Sequence, residues 1–173
     1  MNNIQEVLIL NILDIFQNDV LMASLLAWFV AQVAKIIINA IVNKTFAIER
    51  LFGDGGMPSG HSATVTAAAF MIGLTQGFTS PLFGLSLVFA IIVMHDATGV
   101  RREAGKHAES IMEIINILNN YFDYLNENDI ELRHKKLKIL IGHTHLQVFF
   151  GAITGCCVAI IYTLLRHPSL LGV

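Results

Sequence analysis

Residues 20–42 read VLMASLLAWFVAQVAKIIINAIV, an apolar run with few polar side chains and a single charge. Residues 146–165 read LQVFFGAITGCCVAIIYTLL and carry no charge. A helix that crosses the hydrocarbon core of a bilayer needs about 20 predominantly apolar residues. Both stretches reach that length, so they predict two transmembrane helices.

The composition of the whole chain also indicates a membrane protein. Of its 173 residues, 54% are hydrophobic and 14% are charged, whereas an average soluble domain has roughly 25% charged residues. The net charge of -2, with 13 glycines and 3 prolines, excludes a disordered tail, a collagen-like fibre and a basic nucleic-acid binder. The adjacent Cys156 and Cys157 fit neither a zinc site nor a disulfide framework.

Two shorter apolar runs predict a tight helical hairpin between these spans. They cover residues 62–78 and 81–96, and the turn between them places Ser80 at an N-cap with Pro81 in the first helical position. We further expect an interfacial helix over 1–18 and a cytoplasmic helical insertion over 98–141. The prediction is a single membrane domain, 1–173, an all-α bundle with transmembrane helices over 20–42, 62–78, 81–96 and 146–165.

Charge predicts the orientation of this bundle. The basic residues after the first and third spans are Lys44, Arg50, Arg101, Arg102, Lys106, Arg133, Lys135, Lys136 and Lys138. On the side of the termini the corresponding residue is Arg166. The positive-inside rule therefore places both loops in the cytoplasm and both termini outside.

The insertion contains an apolar stripe whose spacing alternates between four and three residues, which is typical of an amphipathic helix. Its members are Ala104, Ala108, Ile111, Ile115, Leu118, Phe122 and Leu125. The stripe packs either on the protein's own bundle or the membrane surface, or in a coiled-coil-like dimer.

Ionisable groups in membrane helices occur where a cavity, partner or ligand compensates them. In the first span Gln32, Lys35 and Asn39 share one helical face, which we expect to look into the bundle. The alternative for Lys35 is that its side chain extends to the cytoplasmic surface.

Histidines and cations cluster at the predicted cytoplasmic helix ends. Residues 53–62, GDGGMPSGHS, join a flexible loop to a helix N-terminus, an arrangement that binds anions, and place His61 in the first turn as a proton donor. Residues 142–148, GHTHLQV, place Gln147 four residues after His143, on the same face if the helix has begun. The third span ends at Asp96, and residues 101–102 (RR) follow it. These groups describe a phosphate-ester site; the alternative is simple contact with lipid phosphates.

The motif at 58–61, PSGH, resembles the type 2 phosphatidic acid phosphatase superfamily, which includes vanadium-dependent haloperoxidases. The closer similarity is to its small divergent membrane branch, through 55–63, 96–105 and 142–144. The resemblance implies that His143 is the nucleophile of a phosphohistidine mechanism and His61 the general acid, with no metal and no cofactor. The predicted topology gathers the cations at the same membrane face, although Arg50 and Lys35 do not have the spacing of the superfamily's first motif. The predicted phosphate-binding residues are Lys35, Arg50, Ser59, Gly60, Arg101 and Arg102.

The sequence departs from the superfamily pattern at several positions. Gln147 replaces the Asp that follows the nucleophilic histidine, and Leu137 stands where an Arg precedes it. Arg101 or Arg102 must then take the arginine role, and the spacing from Arg101 makes His107 a rival nucleophile. Asp96 is a possible additional site residue.

We therefore expect a membrane phosphatase acting on a lipid phosphate or diphosphate, of the phosphatidylglycerophosphate, phosphatidic acid or isoprenyl diphosphate type. Its partners are the lipid substrate and the bilayer, in a bacterial cytoplasmic or plastid membrane, with the site facing the cytoplasm and no role for nucleic acid. The alternative is a catalytically weak anionic-lipid-binding or scaffold protein; four spans without an internal repeat disfavour a transporter. Gly151 and Gly155 predict either a homo-oligomer contact or packing within the monomer.

Overall fold

The computed structural model of the chain describes residues 14–43, 56–124 and 142–172. Within these ranges the α-helices are α1 (Asp19–Asn43), α2 (Gly60–Gln76), α3 (Pro81–Thr98), α4 (Val100–Tyr124) and α5 (His145–Arg166). Short 3-10 turns, Asp14–Gln17 and Pro168–Leu171, precede α1 and follow α5. The described ranges contain no strand, in agreement with the predicted all-α class.

Three described helical stretches are long and apolar enough to cross a membrane: Asp19–Val42, Pro81–Leu118 and His145–Arg166. They make this chain an integral membrane bundle. The helix α2 has 17 residues, which at 1.5 Å per residue gives about 25 Å, short of the roughly 30 Å hydrocarbon core. Its assignment as a fourth span stays a prediction.

Although α2 is short, it lies at the centre of the bundle and packs against α1, α3 and α5. Small side chains make this close packing possible, because they let helix backbones approach without a void. The buried cluster that joins α1, α2 and α5 consists of Ala27, Ala31, Ala63, Ala67 and Val158.

Two glycines of α5 form the contact with α2. A Cβ atom built on Gly151 would lie 2.5 Å from the carbonyl oxygen of Ser59, and one built on Gly155 would lie under 3.0 Å from the carbonyl oxygen of Ala63. Both glycines are therefore covered by α2 of the same chain, as in the intramolecular alternative. While α2 covers these two glycines, they cannot also form the predicted contact with a second copy of the chain. Association of two copies stays a separate prediction.

Side-chain caps fix where the helices begin. Ser80 caps α3 by accepting a hydrogen bond from the Phe83 N–H, with Pro81 in the first turn, as predicted. Ser59 caps α2, and Gly77 follows its last residue with a φ of 89°, so α2 lies two residues earlier than the predicted 62–78. Residues 1–13 of the predicted interfacial helix and residues 125–141 of the insertion lie outside the described residues.

The amphipathic helix of the predicted insertion is α4. Among the described elements it packs against the end of α3, while Ile111 and Leu118 of the stripe are 49% and 41% exposed and Ile115 is half-buried. The described contacts thus do not seat its apolar stripe on the bundle. The membrane surface and a second copy remain as the predicted alternatives.

A polar cluster ties the first residue of α1 to the end of α5. The Asp19 carboxylate accepts a hydrogen bond from the Tyr162 hydroxyl at 3.0 Å and pairs with Arg166 Nε at 3.1 Å. Its second oxygen lies 2.8 Å from His167 Nε2. This cluster lies at the end of the bundle opposite to the N-terminus of α5, and so opposite to the histidine motifs.

Candidate functional site

The structure brings the two predicted catalytic histidines together. His61 lies in the first turn of α2, and His143 lies two residues before α5. Their ring centroids are 6.0 Å apart, with the rings edge to face at 86°. His143 is only 2% exposed, whereas His61 is exposed. A buried imidazole next to an accessible one can take part in two different steps of the same reaction.

The N-terminus of α2 offers backbone donors beside this pair. Ser59 is fully buried; its hydroxyl accepts from the Ser62 N–H, and its carbonyl accepts from the Ala63 N–H at 3.1 Å. Within the described part of the chain, the N–H groups of Gly60 and His61 make no hydrogen bond. Unpaired donors at a helix N-terminus bind anions. Ser59 therefore orients this helix end, and its own predicted contact with phosphate stays a prediction.

Main-chain hydrogen bonds join the three motifs. The Ser59 N–H donates to the carbonyl of Gln147 at 2.9 Å, and the His143 N–H donates to the carbonyl of Ala97 at 3.0 Å. Gly142 approaches the backbone of residues 101–102 so closely that a Cβ would meet it under 3.0 Å. The start of α2, the α3–α4 junction and the start of α5 therefore form one site.

The polar face of α1 looks into the bundle, as predicted. Gln32, Lys35 and Asn39 are 6%, 5% and 7% exposed. The aliphatic stem of Lys35 lies along Gly56, whose hypothetical Cβ would be 3.7 Å from Lys35 Cγ and Cδ. Lys35 is thus buried beside the loop that leads to His61, rather than extended along an exposed surface.

Two α1 residues flank Gly60 at the start of α2. A Cβ on Gly60 would lie 3.4 Å from Trp28 Cδ1 and 3.8 Å from Gln32 Cδ. The Oε1 atom of Gln32 is buried without a hydrogen-bond partner among the described residues. The sequence analysis did not predict Trp28 as a site residue. It could have been predicted, because Trp28 lies one helical turn before Gln32 and therefore on the same face of α1.

Gln147 and His143 do not share a face of α5, because the condition for it, a helix that has begun at His143, is not met. Thr144 is the N-cap of α5, which leaves His143 outside the helix. The Gln147 Oε1 accepts a hydrogen bond from the Thr144 N–H at 3.0 Å, and the Thr144 hydroxyl accepts one from the Gln147 N–H at 3.3 Å. This capping box binds the Gln147 side chain to backbone. A direct catalytic role for Gln147 stays a prediction.

The predicted cations occupy different environments. Arg101 Nε pairs with Asp96 Oδ2 at 2.8 Å, with both side chains about half exposed. Arg102 is half-buried beside Gly142, and His107 is exposed on α4. Arg50 lies outside the described residues. Across residues 14–43, 56–124 and 142–172, no three His, Cys, Asp or Glu side chains group to hold a metal ion; metal independence stays a prediction.

The membrane bundle brings His61, at the start of α2, into contact with His143, just before α5. The chain belongs to the divergent PAP2 family, whose model matches residues 16–158. It is 39% identical over 153 residues to the uncharacterized membrane protein YuiD of Bacillus subtilis (strain 168), a match that covers 86% of this chain and 96% of YuiD. No solved structure matches the chain.

Proposed function

We propose that this protein is a membrane phosphatase that hydrolyses a lipid phosphate or diphosphate through a phosphohistidine intermediate. The observation that carries the proposal is the edge-to-face contact of His61 and His143, with ring centroids 6.0 Å apart, beside the N-terminus of α2. Membership of the divergent PAP2 family supports the same chemistry.

In this mechanism the buried His143 is the nucleophile. A nitrogen of its ring attacks phosphorus, the bond between phosphorus and the ester oxygen breaks, and the electron pair leaves with that oxygen. His61, the accessible ring, donates a proton to the leaving oxygen. Water then attacks the phosphohistidine, His61 accepts the proton of that water, and inorganic phosphate leaves with His143 restored.

The phosphate oxygens need cationic or N–H donors as charge develops on them. The N–H groups of Gly60 and His61 supply two donors at the positive end of α2. Lys35 lies behind the loop at Gly56 and, being 5% exposed, places its charge inside the bundle. The backbone of Arg102 lies against Gly142, one residue before His143, and we assign the arginine role to this residue.

The decisive experiment measures phosphate release by purified protein from a panel of lipid phosphates and diphosphates. His143→Ala should abolish release, and His61→Ala should slow it by about 10²- to 10⁴-fold. His107→Ala, a change of the same type at an exposed position, is the matched control and should retain the parental rate. Loss of activity in His107→Ala with retention in His143→Ala would assign the nucleophile to His107 instead.

Two further measurements test the phosphohistidine itself. Rapid acid-free quenching with labelled substrate should trap a phosphorylated protein in the parent and none in His143→Ala, and vanadate should inhibit. Chelation of divalent metals should leave the rate unchanged. If magnesium were required and Asp96→Asn abolished turnover while His143→Ala did not, Asp96 would be a metal ligand and the mechanism would be wrong.

The proposed cytoplasmic orientation rests on the basic residues that follow the first and third spans. A single cysteine at position 128, in a background with Cys156→Ser and Cys157→Ser, should resist a membrane-impermeant thiol reagent in intact cells. It should react after permeabilisation. Labelling from outside the intact cell would overturn the orientation.

A second candidate function is binding of anionic lipid without turnover. The capping box that holds the Gln147 side chain and the Asp96 carboxylate that pairs with Arg101 favour it, because both reduce the groups offered to a transition state. Lipid-phosphate binding that depends on Lys35, with no phosphate release from any substrate, would support this function.

A further inference from the structure

Gln32 on α1 carries a buried hydrogen-bond acceptor, its side-chain Oε1 atom. The residue is 6% exposed, and Oε1 has no hydrogen-bond partner among the described residues. Burial of an acceptor without a donor costs free energy, so each such atom in a folded protein calls for a specific explanation. A ligand that brings its own hydrogen-bond donor supplies that explanation.

This acceptor lies beside the N-terminus of α2. A Cβ atom built on Gly60, the first residue of α2, would be 3.8 Å from Gln32 Cδ. Within the described part of the chain, the N–H groups of Gly60 and His61 make no hydrogen bond, and such donors suit an anion. Two donors and one buried acceptor therefore meet at the same helix end, and one ligand has to satisfy both kinds of group.

The charge around this helix end favours an anion that has kept a proton. Lys35 follows Gln32 by one turn on the same face of α1; it is 5% exposed, and its stem lies along Gly56. Its ammonium group favours an anionic ligand. The amide oxygen of Gln32 is a neutral acceptor, so it can accept a hydrogen bond from an anion without the repulsion that a carboxylate would cause.

A phosphate group in its protonated form has the required features. Hydrogen phosphate, and a phosphate monoester that has kept its second proton, combine anionic oxygens with a P–OH group. The second pKa of a phosphate monoester is about 6, so the protonated form is present at neutral pH. The sulfate dianion and phosphodiesters carry no such hydrogen.

We propose that Gln32 Oε1 accepts a hydrogen bond from the P–OH group of a phosphate bound at the N-terminus of α2, which makes the site selective for protonated phosphate. The inference rests on the proposed function, because it names the class and the ionisation state of the phosphate that the same site takes. The terminal phosphate of a lipid monoester or diphosphate and free phosphate share this chemistry. Sulfate and phosphodiesters should bind weakly.

The first test compares inorganic phosphate with sulfate, which as HPO₄²⁻ and SO₄²⁻ match in shape and charge but differ by one hydrogen. Binding to the purified protein at constant ionic strength can be measured by calorimetry and by the fluorescence of Trp28, the single tryptophan, which contacts Gly60. Phosphate should bind about 10- to 100-fold more tightly than sulfate, the factor expected of one hydrogen bond to a charged group. Equal affinities, or no phosphate binding, would overturn the proposal.

Variants of Gln32 test whether its acceptor causes this preference. Gln32→Leu removes the acceptor and should bring the two affinities close together. Gln32→Glu keeps an acceptor and adds a negative charge, so it should weaken the binding of both anions and still prefer phosphate. A parental preference in Gln32→Leu, or its loss in Gln32→Glu, would show that the Gln32 oxygen is not the acceptor.

The matched control is Ser24→Ala. Ser24 is also a buried polar side chain of α1, about two turns before Gln32, and its hydroxyl donates to the Val20 carbonyl at 2.6 Å. Because this hydrogen bond is satisfied within α1, the control should keep the parental ratio of the two affinities. An equal loss of preference in Ser24→Ala and Gln32→Leu would contradict a specific role for Gln32.

The last test distinguishes a lipid headgroup from free phosphate. In phosphatidylcholine nanodiscs, a phosphonate analogue of phosphatidic acid offers P–OH groups without a cleavable ester bond, whereas phosphatidylglycerol is a diester without P–OH. The phosphonate should displace bound phosphate, and phosphatidylglycerol should not; equal displacement by both lipids would refute the selectivity. Selective phosphate binding without displacement by the phosphonate would support the role of Gln32 and assign the site to free phosphate.

These binding measurements need no turnover, so the inference and the proposed hydrolysis can fail separately. Selectivity that depends on Gln32, in a protein that releases no phosphate from any substrate, would support the inference and reject the hydrolysis. Hydrolysis by a protein whose phosphate preference does not depend on Gln32 would reject the inference alone.

Discussion

Replacing Gly155 with alanine tests the central packing contact of the bundle. A Cβ at this position would lie under 3.0 Å from the Ala63 carbonyl oxygen and at 2.9 Å from the Ala67 nitrogen. Both are backbone atoms of α2, so relief requires a shift of one whole helix against the other. Overpacking of this type costs about 1–3 kcal/mol, and the gain of about 1 kcal/mol from replacing a helical glycine offsets part of it. We expect a net loss of up to about 2 kcal/mol.

The matched control is Gly84→Ala on α3, where a Cβ meets nothing within 4 Å. There only the helix-propensity gain applies, so this variant should be more stable than the parent by about 0.5–1 kcal/mol. Unfolding in mixed micelles can be followed by the fluorescence of Trp28, the single tryptophan of the chain, which contacts Gly60 at the α1–α2 interface. The two variants should shift the transition in opposite directions, independently of protein concentration. A Gly155→Ala protein as stable as Gly84→Ala would refute the close approach of α5 to α2, and a concentration-dependent loss would indicate an intermolecular contact instead.

Three other changes give distinct expected outcomes. Asp19→Asn should lower stability by about 1 kcal/mol, less at high salt, and leave phosphate release unchanged, because Asp19 lies at the end of the bundle opposite to the site; a change in activity with normal stability would contradict this placement. Gln147→Ala should destabilise the start of α5 by about 1 kcal/mol, whereas Gln147→Glu should preserve the capping box with Thr144 and the parental melting temperature. Lys35→Met keeps the apolar stem against Gly56 and should retain the fold while raising the KM for lipid phosphates about tenfold, and an unchanged KM would remove Lys35 from the phosphate site.

Local signals predicted the fold well where one short motif fixes the structure. The pair Ser80 and Pro81 begins α3 at the predicted residue, because a hydroxyl cap and a proline both act within a single turn. Gln32, Lys35 and Asn39 are spaced three and four residues apart, which places their side chains on one face of a helix. The sequence therefore predicted that this face of α1 is buried, and all three side chains are buried.

Predictions that depended on the exact helix start or on distant contacts were less secure. The pairing of His143 with Gln147 assumed that α5 had begun at His143, but the Thr144 hydroxyl caps the helix one residue later. The ion pair between Asp96 and Arg101 depends on how the chain turns at the α3–α4 junction, for which the sequence offers no pattern. The helix that covers Gly155 also could not be predicted from the sequence, because small residues allow close helix packing but do not determine which helix packs there.

The ties between the start of α2, the end of α3 and the start of α5 run through backbone atoms: the Ser59 N–H to the Gln147 carbonyl and the His143 N–H to the Ala97 carbonyl. An alanine scan leaves every peptide group in place, so it would pass over the bonds that hold the two imidazoles together and assign their effect to neighbouring side chains. Amide-to-ester replacement of the peptide nitrogen of Ser59 or His143 removes one such donor while keeping its side chain. Backbone replacement, rather than side-chain mutagenesis, is therefore the way to measure how much these main-chain hydrogen bonds contribute to holding the site together.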